Sequence, residues 1–320
     1  MADVTPFFSV VVPAYNRAHV LERSLRSVLT QTFQDFEIVV VDDGSSDNPR
    51  AVVDAIGDPR IRFLHQENQG GAAARNTGID AAIGRFIAFL DSDDIFLPHH
   101  LQSMHDLLDG TTNTVGYARV FVDRGDGRTI LKPPRAIRPD EDMATYLLCD
   151  RGFVPTISTV VENKTAKAVK YSTGYRYGDD TNFAVNLYLA GCKFAMLDEP
   201  AAIWQDTHDP ARTSSGRKGL RLEQWIEDMR PRIPAIAYHG CRGWVIAKGV
   251  AQTDKWKALK LYLTALWHRC YSPGLAVIVF LQIFLPDNAY RSLADGSIRW
   301  LKAGLQPRRR AATPERTRPA

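Results

Sequence analysis

The 320-residue sequence predicts an α/β protein: a mainly parallel, Rossmann-like sheet flanked by helices, followed by a helical C-terminal extension. Three observations predict it. Over the first hundred residues, short apolar and β-branched runs alternate with segments of helical periodicity, which implies right-handed βαβ crossovers. Two of those runs, FEIVVVDD and RFIAFLDSDD, end in carboxylates. Sheets of this kind bind ligands outside the carboxyl ends of their strands, so Asp42, Asp43, Asp91 and Asp93 are expected along one edge.

Each element follows from its residues. Phe7 to Val12 is apolar and β-branched, which suits a strand, and Val20, Leu21, Leu25, Val28 and Leu29 then recur at helical spacing. The uninterrupted Ile-Val-Val-Val of FEIVVVDD fits a strand buried on both faces. RIRFLHQ reads as a third strand, GGAAARNTGIDAAIG as a helix small enough to lie close to a sheet or a ligand, and RFIAFLDSDD as a fourth strand. A helix is expected from near Ile95 through LPHHLQSMHDLL, with His99, His100 and His105 on its surface. Another is expected from Thr181 to Ala190, with Asp180 as its N-cap and Gly191 ending it.

Composition narrows the function. The 45% apolar content supports one substantial core plus a smaller appendage. The net charge is +4, but from Arg299 onward seven basic residues oppose only Glu315, so the tail carries +6 and the body is near −2. A body so balanced is no general nucleic-acid binder. Cys149, Cys192, Cys241 and Cys270 are widely separated, with no CxxC pair, which fits free thiols in a reducing, cytoplasmic compartment. The opening MADVTPFFSVVVPAYN has neither the basic stretch nor the cleavage site of a signal peptide.

From about Gly216 the sequence reads as helices rich in Trp, and LAVIVFLQIFL covers Leu275 to Leu285. Eleven helical residues reach about 16 Å, roughly half the hydrocarbon thickness of a bilayer, so this run does not span. Two placements stand open for it, a buried helix or a helix in a membrane face beside the basic tail, which anionic lipid would attract. The Pro- and Arg-rich tail has the composition of a disordered segment.

Asp91 and Asp93, two apart on a strand, would point to one side while Ser92 points opposite. Two such carboxylates, with water and phosphate oxygens completing the shell, suit magnesium or manganese; the competing reading is that they cap the next helix. The opening turn VVPAYNRAHV contains no glycine, which excludes the Gly-x-Gly-x-x-Gly turn of a nicotinamide-binding dehydrogenase.

The order VVVPAYNR, LRSVLTQTFQDFEIVVVDDGSSD, NQGGAAARNTGI and FLDSDD resembles family 2 glycosyltransferases with the GT-A fold, over about Ser9 to Ser215. The resemblance implies an inverting enzyme that moves a sugar from a nucleotide-diphosphate donor, UDP-sugars first, to a hydroxyl of a glycan or lipid-linked acceptor. It implies Mn2+ or Mg2+ as cofactor. By the same resemblance Pro13, Ala14 and Tyr15 hold the base, with Tyr15 stacking on it. Asp42 and Asp43 bind base or ribose, the competing reading being turn chemistry in DDGSSD; Arg75 contacts the diphosphate, the competing reading being an ion pair; and Asp91 and Ser92 line the donor site. From its own position before helical spacing, Asn16 is expected to cap the following helix. TGYRYGDDTNFAVNLYLAGCKF is similar to the family's Gly-Glu-Asp segment, with Asp180 in the base position and Asp179 where Glu is usual. IWQDTHDPARTSS resembles the closing Tyr-Arg-x-x-His segment, with Trp204 and Gln205 replacing Tyr and Arg and with His208 joining Asp91 and Asp93 on the metal. The acceptor is expected near RGFVPTIST. The chain then divides into residues 1–215 as the transferase domain, 216–300 as a helical subdomain open to membrane association, and 301–320 as the tail. The rival from another class is a catalytically silent relative that binds nucleotide-sugar and serves in assembly; intact Asp91, Asp93, Asp180 and His208 argue against it.

Overall fold

The structure is a computed structural model, described here for residues 5–286 except 126, 128, 176, 177 and 207–221. The first half alternates as the sequence predicts: β1 (Phe8–Ala14), α1 (Ala18–Leu29), β2 (Phe36–Asp43), α2 (Pro49–Ile56), β3 (Ile61–Gln66), α3 (Gly71–Ala81) and β4 (Phe86–Phe89). Strands β3, β2, β1 and β4 lie side by side and parallel. All eight residues of β2 are buried, because helices cover both faces of the sheet there. The small-residue run of α3 serves close packing. A Cβ on Gly78 would stand 2.3 Å from Val11 Cγ1 of β1, so only glycine lets the helix approach so closely.

Beyond β4 the sheet becomes mixed. It continues through β8 (Val160–Glu162), β6 (Thr114–Asp123), β9 (Lys193–Gln205) and β5 (Ile95–Phe96), and β7 (Thr129–Lys132) pairs with β6. Strand β8 runs antiparallel to β4 and β6, whereas β6 and β9 are parallel. Helices α4 (His100–Leu108), α5 (Met143–Cys149), α6 (Asn163–Val169) and α7 (Asp179–Leu189) flank this half.

The C-terminal part comprises α8 (Glu223–Met229), α9 (Ala235–Cys241), a π-helical stretch Arg242–Ile246, α10 (Ala247–Val250), α11 (Lys255–Trp267) and α12 (Pro273–Phe284). Its core is continuous with the first half. Trp225, Ile226, Tyr238 and Ile246 pack in one cluster with Met143, Tyr146 and Val185 of α5 and α7. The four cysteines are free and buried.

Several local expectations change. The helix expected from Ile95 starts at His100, because Ile95 and Phe96 pair with β9 and Pro98 then interrupts the chain. His100 is not on the surface but fully buried, and both ring nitrogens lack a hydrogen-bond partner among the described residues. Burial, helped by neighbouring His99, pushes its pKa down to about 3, so the ring is a neutral packing group against Phe96. The helix expected from Thr181 begins at Asp179 instead, with Gly178 as N-cap in the left-handed region. The run Leu275–Leu285 falls in α12, which Ser272 caps and Pro273 opens. Leu275, Val279 and Ile283 face the core, while Val277 and Phe280 are exposed. One stripe of this helix is thus buried, as the first placement expected, and its other side is exposed. Among the described residues no helix is long and apolar enough to cross a membrane.

Candidate active site

The carboxyl ends of β1, β2 and β4 form the expected edge. Strand β1 passes through Pro13 and buried Ala14 into Tyr15, which is 50% exposed. Asn16 does not cap α1. It adopts a left-handed conformation, and its Oδ1 accepts from Ser46 N and Ser46 Oγ while its own N–H donates to Ser45 Oγ. The cap position belongs to Arg17, whose side chain makes no capping bond.

Asp42 and Asp43 are almost fully buried, and their oxygens are already engaged. Asp42 accepts from Ser45 N–H and pairs with His65 Nδ1, both at 2.9 Å. Asp43 accepts from Gln66 Nε2 and from the backbone N–H groups of Gln69 and Gly70. These two carboxylates hold the loops that follow β2 and β3, and they shape the rim of the site through those loops. Gly44 makes the first loop possible, with φ +77° and no room for a Cβ, which would meet Asn68 N at 2.8 Å.

The strand argument for Asp91 and Asp93 does not hold as stated, because β4 ends at Phe89. Residues 91–94 form a turn, closed by Asp94 N–H donating to Asp91 C=O. The turn still leaves Asp91 and Asp93 partly exposed and buries Ser92 and Asp94. Ser24 of α1 fixes it, its one hydroxyl hydrogen shared between the carbonyl oxygens of Ser92 and Asp94. Arg23 adds a bond to Asp93 C=O, and Asp94 Oδ1 accepts the N–H of Gln205 at the end of β9. A gap between β4 and β5 is thereby converted into a rigid carboxylate-bearing corner.

Arg75 of α3 reaches this corner. Its Nη2 donates to Asp91 Oδ1 at 2.6 Å, its guanidinium lies 5.4 Å from the Tyr171 ring centre, and its buried Nε has no hydrogen-bond partner among the described residues. Burial works against the Arg75 charge, yet Asp91, Tyr171 and Asp180 together hold its pKa above the usual arginine range. On the far side Thr156 Oγ donates to Asp180 Oδ1, and Asp179 carries a buried oxygen with no described partner. Neither Asp caps α7; both stand in its first turn.

This crowding sets the protonation states. Burial raises the Asp179 pKa to about 6, with Arg75 lowering it and Asp180 and Asp91 raising it further. Burial also raises Asp180, against the pull of Arg75 and the Thr156 hydroxyl. A carboxyl raised in the folded state adds stability below its unfolded pKa, and that stability is lost as pH rises through about 6. Replacing Asp179 with Asn is therefore expected to stabilise the protein at pH 7.5 by about 1–3 kcal/mol, with the helix dipole offsetting part of the gain. The advantage should vanish below about pH 4. Thermal melts of both proteins at pH 4, 6 and 7.5 check this, and a gap that does not grow with pH would overturn the assignment.

Among the described residues no cluster of three or more His, Cys, Asp or Glu is arranged to hold a metal, and His208 lies outside them. The partly exposed carboxylates of Asp91 and Asp93 are hard oxygen donors, which fit magnesium or manganese sharing its shell with water and phosphate. Trp204 stacks on Phe153 at 5.6 Å, with Lys132 Nζ 5.4 Å from its ring centre, so RGFVPTIST lies beside the end of β9. Thr156, Tyr171 and Ser24 are the site residues that sequence reasoning missed. Thr156 sat within the expected acceptor loop without a role, whereas Tyr171 and Ser24 belong to no motif and gave no signal.

Comparison with known proteins finds a match to the family model described as Glycosyl transferase family 2 over residues 9–163. Glycosyltransferase GlyG of Streptococcus pneumoniae is 30% identical over 210 residues, 61% of this chain and 69% of that protein. The amylovoran biosynthesis glycosyltransferase AmsB of Erwinia amylovora is 27% identical over 247 residues, 73% of this chain and 80% of that protein. Among solved structures, S. aureus TarS 1–349 in complex with UDP-GlcNAc superposes with a TM-score of 0.58 at 19% identity, covering 92% of each chain.

Proposed function

The chain belongs to glycosyl transferase family 2 and has the GT-A fold, and from that premise we propose that it is an inverting transferase. Its donor is a nucleotide-diphosphate sugar, UDP-linked first, and its acceptor a hydroxyl of a glycan or lipid-linked glycan in surface polysaccharide or glycolipid synthesis. The observation that carries this reading is the arrangement around Arg75: it binds Asp91 on the donor edge and electrostatically supports Asp180 on the other side.

In this reading the Tyr15 ring receives the base against Pro13 and Ala14, and the loops held by Asp42 and Asp43 border it. Arg75, with its unpartnered Nε, faces the diphosphate, and Ser92 keeps the carboxylate turn in register through its bond from Ser24. Asp91 and Asp93, with His208 by family resemblance, would hold Mn2+ or Mg2+, which when bound neutralises charge on the departing diphosphate. Asp180 removes the proton from the acceptor hydroxyl. The Thr156 bond fixes Oδ1 and leaves Oδ2 for that proton. The acceptor O–C1 bond forms as the C1–O bond to phosphate breaks, the electron pair leaves with the diphosphate, and the proton ends on Asp180. Attack from the side opposite the leaving group inverts the anomeric centre.

Residues 1–215 carry this chemistry in the proposed division, with 216–300 a helical subdomain. The +6 tail draws the protein to the anionic inner face of the cell membrane, where lipid-linked acceptors reside. The test is a screen of nucleotide-sugars for stabilisation of the fold and release of nucleoside diphosphate, with and without manganese. Stabilisation without release would favour the silent, assembly-type relative; neither effect with any donor would overturn the reading. Asp93→Ala is expected to weaken manganese-dependent binding of the nucleoside diphosphate and to abolish transfer. Metal-dependent turnover near wild type in that variant would remove Asp93 from the metal assignment.

A further inference from the structure

The most exposed large apolar side chains of the described residues are Trp267 and Trp256, 86% and 82% exposed, and both belong to α11. Trp256, Lys260, Leu263 and Trp267 follow one another at spacings of four, three and four, so they share one face of the helix. The opposite face, Ala258, Tyr262 and Ala265, is buried in the core. The outer face therefore exists by sequence design of the stripe, because nothing in the packing of the core requires two tryptophans in water. Helix α12 extends the surface. Tyr262 Oη donates to Ala276 C=O, the Tyr262 and Phe280 rings lie 5.6 Å apart, and Val277 and Phe280 are exposed beside α11.

The charge within this surface is basic, with Asp254 capping the start of the helix. From Lys255 to Pro286 the sequence contains no acidic residue, while Lys255, Lys257, Lys260 and Arg269 supply four positive charges. We propose that α11 lies in the headgroup region of an anionic bilayer, with Trp256, Leu263 and Trp267 inserted and the lysines against lipid phosphates. The two indoles stand eleven residues apart, about 16 Å along the axis, so both reach one plane when the helix lies flat. Indole at the interface and lysine beside it are the side chains that suit this depth of a membrane. A second copy of the chain is a poor occupant, since a two-fold contact would set two such basic faces against each other. The proposal rests on the membrane-surface part of the function above, and it moves the inserted element from the Leu275–Leu285 run to α11.

The test is sedimentation of the full chain with vesicles of phosphatidylcholine alone or mixed with phosphatidylglycerol, at low and high salt. Wild type is expected to bind the mixed vesicles, less so as salt rises, since screening acts over about 10 Å at 0.1 M. Trp256→Ala/Trp267→Ala should partition at least roughly tenfold more weakly, at unchanged melting temperature and unchanged hydrolysis of soluble nucleotide-sugar. Lys255→Gln/Lys257→Gln/Lys260→Gln should bind the mixed vesicles more weakly and with a shallower salt dependence, the +6 tail supplying the remaining attraction. If wild type binds neither vesicle, the membrane reading itself fails and this inference with it. If wild type binds and the tryptophan variant binds equally, the membrane reading survives and the assignment to α11 is overturned. Self-association of wild type that the tryptophan variant abolishes, without vesicle binding, would give the face to a second copy and would also overturn it.

Discussion

Asp180→Asn is expected to lower sugar transfer by roughly 10²-fold or more, with melting temperature and nucleotide affinity close to wild type. The amide is nearly isosteric, and its Oδ1 accepts from Thr156 Oγ as the carboxylate does, so the link between the Thr156 turn and α7 persists. Helix capping does not cloud the comparison, because Gly178 holds the cap position. What disappears is the second oxygen with its basic lone pair. The neighbouring Asp179→Asn variant separates the two acids: it should keep most of its transfer while shifting the acidic limb of the pH profile, since one of two coupled carboxyls has gone. Activity in the wild type should rise as pH increases and the base loses its proton. Loss of transfer in the Asp179 variant with retention in the Asp180 variant would move the base by one residue. Retention in both would refute the mechanism.

That pair was placed by the resemblance to the family's Gly-Glu-Asp segment, since position alone made Asp180 an N-cap, which Gly178 turns out to be; the strand end that carries Asp42 and Asp43 was legible from the sequence itself. Continuous apolar runs such as FEIVVVDD admit few alternatives once both faces are covered by helices. The local geometry was less legible wherever a tertiary partner outranked the local pattern. Asp91 and Asp93 were expected on a strand, but Ser24 from α1 supplies bonds that stabilise a turn there. His100 follows His99 in a polar-looking stretch, yet two residues paired to β9 reset the helix and turn that ring inward.

The second half of the sheet was hardly visible. TVGYARVFVD and KFAMLDEPAAIWQ are long strands in which Gly, Pro, Asp and Glu interrupt the apolar pattern; a bulge between Ala118 and Val120 absorbs the mismatch with β9. The C-terminal helices show a related limit. LAVIVFLQIFL is the most apolar stretch, but apolarity alone does not say which face is covered, and one stripe of it packs into the core. The stripe of α11 was readable as spacing; only the buried Ala258, Tyr262 and Ala265 establish that it points outward.

Arg75→Met is expected to produce the largest combined loss, destabilising the fold by about 2–4 kcal/mol at pH 7.5 and lowering transfer on the order of 10²-fold or more. Methionine retains the apolar stem against Tyr171 and removes the cation. Arg75 is only 12% exposed at its side chain, and it lowers the pKa of both Asp179 and Asp180 while bonding Asp91, so three carboxylates lose their shared counter-charge at once. Asp91 is 32% exposed, and water screens part of its loss, which keeps the cost below that of a fully buried pair. Without Arg75 the Asp179 and Asp180 pKa values move further upward, so the base is protonated over a wider range and the activity profile shifts to higher pH. The stability loss should shrink as pH falls and the carboxyls take up protons. Arg75→Lys is expected to fall between, since one compact ammonium cannot replace a planar fork that bonds Asp91 while lying over Tyr171. A second substitution distinguishes charge from packing. Arg75→Met/Asp91→Asn removes the carboxylate that Arg75 bonded directly and should recover part of the stability, whereas a loss of packing alone would persist unchanged. Recovery of stability without recovery of transfer is the outcome expected from the proposed function, because the double variant lacks both the proposed donor to the diphosphate and the carboxylate that Arg75 bonds. An Arg75→Met protein as stable and as active as wild type at pH 7.5 would remove Arg75 from the centre of the site.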